Sequence, residues 1–174
     1  MAAITKIVLD ADVIIHFIKA ERFSTLLHIF PEYECVILDV VYNEVALHPS
    51  SKTLIDNALN FFSGRISLIT FNPVGESRLE YAKLISSLGR GESACMVYCR
   101  DNADVLGSSN LRDIKDYCLK NRITYLTTLD FLYYAFVRGK ITEADCNAFM
   151  EVVNKKGSRL PIIDIISYRP SCRL

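Results

Sequence analysis

Acidic residues at widely separated points of the chain carry the chemistry this sequence can offer: Asp10 and Asp12, Glu44, Glu92 and Asp113. The run Ile4-Thr5-Lys6-Ile7-Val8-Leu9 has the β-branched, apolar character of a buried strand, and Val13 to Ile18 reads as the helix that follows. Asp10 and Asp12 therefore stand at a strand-to-helix turn, and open α/β sheets bind their ligands outside the carboxyl ends of their strands. Asp12 is also a good N-cap for that helix, because its side chain can accept from an unpaired amide one turn in. Asp10 has no such explanation. Coming directly off the strand, it would sit half-buried beside a like charge, which costs stability unless a cation or a partner compensates.

The other acids each have a structural explanation when taken singly. Glu44 shares a helix face with Val41, Val45 and His48, where a glutamate can reach water past an apolar stripe. Glu92, on a face with Cys95, Met96 and Cys99, suits the first turn of a helix through the macrodipole. Asn110 and Asp113 have capping-box spacing. These explanations do not predict joint placement. Asp10, Glu44, Glu92 and Asp113 each fall at a strand end or in an early helical turn, positions that share one side of a parallel sheet. Gathered there, they repel unless a cation bridges them. An all-carboxylate set without histidine or thiol suits Mg²⁺ or Mn²⁺, and such a site supports in-line attack on a phosphodiester.

The elements that must position these acids are short strands alternating with helices. Further strands are expected at 35–38, 66–71, 104–108 and 124–126. Helices are expected at 22–30, at 39–47 (capped by Asp39, closed by His48-Pro49), and at 52–62, 76–88, 92–102, 111–121, 130–138 and 143–155. Gly89-Arg90-Gly91 separates two of them, and Pro161 to Ile166 is apolar enough to dock as a strand or extended arm. The class is α/β, around a central, mainly parallel sheet, in one domain over 1–174.

Composition agrees with a compact chain: 51% hydrophobic and 23% charged, with a net charge of zero that does not advertise a dedicated phosphate-backbone binder. The six cysteines form no metal-ligand spacing and read as reduced core thiols, and His16, His28 and His48 read as structural. Neither a signal peptide nor a membrane span is expected, so the expected location is cytoplasmic.

Leu9-Asp10-Ala11-Asp12-Val13, Val41-Tyr42-Asn43-Glu44-Val45, Gly91-Glu92-Ser93-Ala94 and Ser108-Ser109-Asn110-Leu111-Arg112-Asp113 resemble, in order, the acidic motifs of PIN-domain nucleases. Thr127-Thr128-Leu129-Asp130-Phe131-Leu132 and Arg138-Gly139-Lys140-Ile141 resemble the helix that closes many of these domains. The likeness covers residues 4–141, leaving 142–174 as a C-terminal helix and extended tail. It implies a three-layer α/β/α sandwich and a Mg²⁺- or Mn²⁺-dependent endoribonuclease. It also implies, as in VapC-type toxins, a small antitoxin partner and a homodimer. Asp10, Glu44, Glu92 and Asp113 would be the catalytic, metal-binding acids, with Asp12, Ser109 and Asn110 in support or steering phosphate. Relatives often carry an aspartate pair where Ser109 and Asn110 stand, so the fourth acid stays open between Asp113 and no direct ligand, with Asn110 a weaker substitute. Arg90, Arg112 and Lys115 are candidates for an RNA backbone, though a solvated surface accounts for any one of them.

Two other classes share these features. A PIN-like module that binds RNA or protein without cutting fits the Ser109-Asn110 departure and the neutral charge. Asp10-Ala11-Asp12-Val13 also resembles the nucleophile motif of aspartyl-phosphate phosphatases, which want an acid pair after a later strand where this chain has Ser109-Asn110.

Overall fold

The computed structural model describes residues 5–174, so Ile4, at the head of the first expected strand, lies outside the described residues. Strands β1 (Lys6–Leu9), β2 (Glu34–Leu38), β3 (Ile66–Ile69), β4 (Val105–Gly107) and β5 (Tyr125–Leu126) form one sheet, parallel throughout, in the order β3-β2-β1-β4-β5. Around it pack α1 (Ala11–Lys19), α2 (Phe23–Leu26), α3 (Asp39–Val45), α4 (Pro49–Phe61), α5 (Gly75–Leu84), α6 (Arg90–Asn102), α7 (Leu111–Asn121), α8 (Thr128–Val137) and α9 (Glu143–Lys155). The expected α/β/α sandwich is what forms. Ile7, Val8 and Leu9 of the central strand are fully buried, as a strand covered on both faces requires.

The strand order decides where a site can lie. The chain runs outward from β1 through β2 to β3, then returns to the other side of β1 for β4 and β5. Connections leave β1 and β4 in opposite directions, so their carboxyl ends form the switch point where open α/β sheets place a ligand crevice. Leu9 pairs with Gly107 at the last rung, and the Asp10 amide donates to the Gly107 carbonyl at 2.8 Å. Asp10 and Ser108 therefore enter the crevice side by side.

Several element boundaries differ from expectation for identifiable reasons. Asp10, not Asp12, is the N-cap of α1, in extended backbone with its side chain accepting from the Ala11 amide. Asp39 is the first residue of α3 instead of its cap; its carboxylate accepts from the amides of Val40 and Phe71, tying α3 to the end of β3. His48-Pro49 opens α4 instead of closing α3, since proline suits a first helical position where no N–H is needed. Helix α2 stops at Leu26, and tight turns then bury Leu27, Ile29 and Phe30. Gly89 caps α6, and Arg90 and Gly91 are already helical. Helix α8 starts two residues early because Thr127 and Asp130 form a capping box.

The segment after α9 forms no strand among the described residues. It docks through buried Leu160 and Ile165, and through the Tyr168 hydroxyl and Ser171 amide, which donate to Asp130 Oδ1 at 2.9 and 2.8 Å. All six cysteines are free thiols, with Cys35, Cys95, Cys99, Cys118 and Cys146 buried. Among the described residues no helix is long and apolar enough to cross a membrane.

Candidate active site

Strand β1 delivers Asp10 to the crevice with only 5% of its surface exposed. Burial, then the neighbouring charges of Asp12 and Glu92, push its carboxyl up to about 8, against the pull of the Ala11 amide and the Ser108 hydroxyl. Asp12, one residue into α1, spans the switch point: Oδ1 accepts from the Val13 amide at 2.6 Å and Oδ2 from the Ser109 amide at 2.8 Å. Burial raises its carboxyl to about 6, with Glu44 adding to the rise, while the amides of Ser109, Val13 and Asn110 oppose it.

Glu44 comes from α3, on an exposed stretch of that helix, and meets α6 at Gly91. A Cβ on Gly91 would stand 2.9 Å from Glu44 Oε2 and 3.7 Å from Asp10 Oδ1, so the two carboxylates approach the same point on the helix backbone. Glu92 follows in the first turn of α6, 8% exposed. Its carboxyl is pushed up to about 7 by burial first, then by the charges of Asp113, Asp12 and Glu44, with the Asn110 side chain opposing.

Asp113, in the first turn of α7, closes the group. Asn110 is the N-cap residue of α7, but its side chain makes no cap bond; Nδ2 donates to Asp113 Oδ2 at 2.7 Å. The expected capping box is thus replaced by a side-chain pair, which leaves Asp113 near Glu92. Arg112 Nε reaches Asp113 Oδ1 at 3.2 Å, and Arg90, Arg112 and Lys115 are exposed.

Five acids from four helices and the end of β1 therefore face one crevice and feel one another's charge. The donor set is carboxylate oxygen alone, the chemistry of a hard divalent ion. Among the described residues, no three His, Cys, Asp or Glu side chains stand together as a group that could hold a metal ion in this arrangement. An apolar groove of about 480 Å³ between α1–α2 and α4, lined by Phe23, Leu54, Phe61 and Phe62, contains none of these acids.

Three residues of this neighbourhood escaped the sequence argument as partners of the site. Ser108 is fully buried beside Asp10. Thr128 and His16 stand behind Ser109: Ser109 Oγ donates to Thr128 Oγ1 at 2.7 Å, and His16 Nδ1 lies 2.8 Å from the same Thr128 oxygen. A signal existed for Thr128, since Thr127-Thr128-Leu129-Asp130 is a helix start at a strand end. His16 carried none.

No family model matches the chain, and no curated protein matches it in sequence. Among solved structures it is similar to a chain of VapBC2 from Rickettsia felis, determined bound to a DNA fragment from the promoter of that system. The TM-score is 0.52 at 15% identity, over 71% of this chain and 98% of that one. At that identity the likeness concerns architecture: this chain shares the α/β/α fold of that structure.

Proposed function

We propose that the chain is a PIN-type nuclease that hydrolyses RNA phosphodiester bonds with Mg²⁺ or Mn²⁺, and that Asp10, Glu44, Glu92 and Asp113 are its metal-binding, catalytic acids. The observation that carries this reading is convergence at one place: Glu44 Oε2 and Asp10 Oδ1 both approach Gly91, next to Glu92, and burial first and neighbouring carboxylates second hold Asp10, Asp12 and Glu92 above the ordinary carboxylate range. Buried carboxylates gathered in this way gain, in a bound cation, the partner that offsets the cost of ionising them. When bound, the metal supplies a hydroxide nucleophile at neutral pH and stabilises charge on the phosphate oxygens. Asp10 and Glu44, converging over Gly91, would hold it from the β1 side, and Glu92 and Asp113 from the side of α6 and α7. Asp12 stays engaged with the Ser109 amide and keeps the two sides of the switch point in register. Arg90, Arg112 and Lys115 would draw the RNA backbone to the rim.

The sequence resemblance to PIN nucleases and the fold shared with a VapBC2 chain support the same reading, and with it a small antitoxin partner; the homodimer is proposed from the sequence resemblance alone. The test is cleavage of single-stranded RNA by purified protein with and without Mn²⁺. Mn²⁺-dependent cleavage that Asp10→Asn abolishes is expected; equal cleavage by the variant would remove Asp10 from the mechanism. A non-catalytic RNA-binding module is the second reading, favoured by Asn110, whose amide occupies Asp113 where an acid would add charge. RNA retention without cleavage at any metal concentration would select it.

A further inference from the structure

Behind the acids a hydrogen-bonded column runs on from the Asp12–Ser109 bond to His16. Asp12 Oδ2 takes the Ser109 amide at 2.8 Å. The Ser109 hydroxyl in turn is gripped twice by one residue, accepting from the Thr128 amide at 2.7 Å and donating to Thr128 Oγ1 at 2.7 Å. Thr128 Oγ1 is itself engaged by His16 Nδ1 at 2.8 Å, and both side chains are buried. Thr128 cannot drift, because it is the first residue of α8, inside the Thr127–Asp130 capping box. Every donor in the column then has an acceptor. With Ser109 Oγ donating to Thr128, the Thr128 hydroxyl is left to donate to His16 Nδ1. Burial lowers His16 to about 4, which keeps the ring neutral with one nitrogen free to accept; the Thr128 donation assigns that role to Nδ1 and the ring proton to Nε2.

The column joins α1 to itself by an outside route. Asp12 and His16 lie one helical turn apart, and Ser109 and Thr128 connect them through the ends of β4 and β5. Such a closed loop of bonds determines where the Ser109 amide points.

From this geometry we infer that Thr128, oriented by His16, is a positioning residue of the acidic site: through Ser109 it fixes the amide that aims Asp12 across the switch point. The inference rests on the nuclease reading for its effect on metal and rate, but not for its effect on Ser109.

The test compares Thr128→Val, which deletes the hydroxyl at constant shape, with Thr128→Ser, which keeps it. Amide hydrogen exchange by NMR is read at Ser109, with Leu9 and Leu106 as references. In Thr128→Val, exchange at Ser109 is expected to accelerate at least tenfold while the reference amides hold, and Thr128→Ser is expected to restore protection to within about twofold. Mn²⁺ affinity, followed by the resonance of free Mn²⁺, falls in parallel, and kcat on single-stranded RNA drops about tenfold with KM within about twofold. Unchanged Ser109 protection in Thr128→Val, or equal behaviour of the Val and Ser variants, would overturn the proposal. If the wild type neither binds Mn²⁺ nor cuts RNA, the nuclease reading falls, and the exchange comparison still judges the column. Should Thr128→Val fail to fold, Ser109→Ala on the half-buried turn breaks the same link and is read at its own amide against the same references.

Discussion

The α carbon of Gly91 faces the carboxylate of Glu44 so closely that a single added methyl would stand 2.9 Å from Oε2. Glycine is required there by approach and not by backbone conformation, since residue 91 is an ordinary helical position. Gly91→Ala separates stability from chemistry. Alanine favours a helix over glycine by roughly 0.5–1 kcal/mol, and the tightest contact is the movable end of a side chain. The melting temperature is expected to stay within a few degrees of wild type. Mn²⁺ affinity, measured calorimetrically, should fall about tenfold because Glu44 is displaced.

Asp10→Asn should stabilise the protein. Asparagine caps helices as well as aspartate does, so the Ala11 contact survives. What disappears is a charge the fold holds at a loss. The folded carboxyl binds its proton up to about pH 8, whereas the unfolded one releases it near 4. Between those values the native state carries more protons, so stability falls as pH rises. The wild type should therefore melt progressively lower from pH 5 to pH 8. The variant should show a shallower slope and gain on the order of 2 kcal/mol at pH 8, roughly 4–8 °C in melting temperature. Thermal scans across that range, without metal, check both.

Divalent metal should reverse that slope. Binding needs ionised carboxylates, and Asp10, Asp12 and Glu92 ionise only as pH rises through about 6 to 8. Millimolar Mn²⁺ should raise the melting temperature more at pH 8 than at pH 5. A hundredfold excess over the dissociation constant corresponds to about 2.7 kcal/mol. A metal-induced shift independent of pH would contradict the assignment of these acids.

Asp130 is a carboxylate of a different kind, and its replacement should be costly. It is fully buried, with the Thr127 amide and hydroxyl donating to one oxygen and the Tyr168 hydroxyl and Ser171 amide to the other. Asp130→Asn would set an NH₂ group against donors and leave at least one unpaired. A loss of roughly 3 kcal/mol is expected, with release of the C-terminal segment as faster amide exchange at residues 168–174.

The contrast between Asp10 and Asp130 shows what was legible beforehand. Strand and helix alternation, the placement of the acids at element ends and the exact span of α7 followed from local pattern, because period and capping chemistry are written in neighbouring residues. Asp10 was identified from its position alone, as a charge leaving a buried strand. Asp130 is, in the sequence, only the first residue of an expected helix, since its partners Tyr168 and Ser171 are 38 and 41 residues away.

By itself, then, the amino-acid sequence determined the class of fold, the inventory of carboxylates and the end of the sheet to which they belong. Tertiary structure alone decided that the strand order reverses between β1 and β4, that Asp10 takes the cap while Asp12 bridges to Ser109, and that Thr128 and His16 stand behind that bridge. The division is physical. Backbone period and capping act within a few residues, whereas the direction of an amide in a crevice is set by contacts between segments that the chain keeps a hundred residues apart.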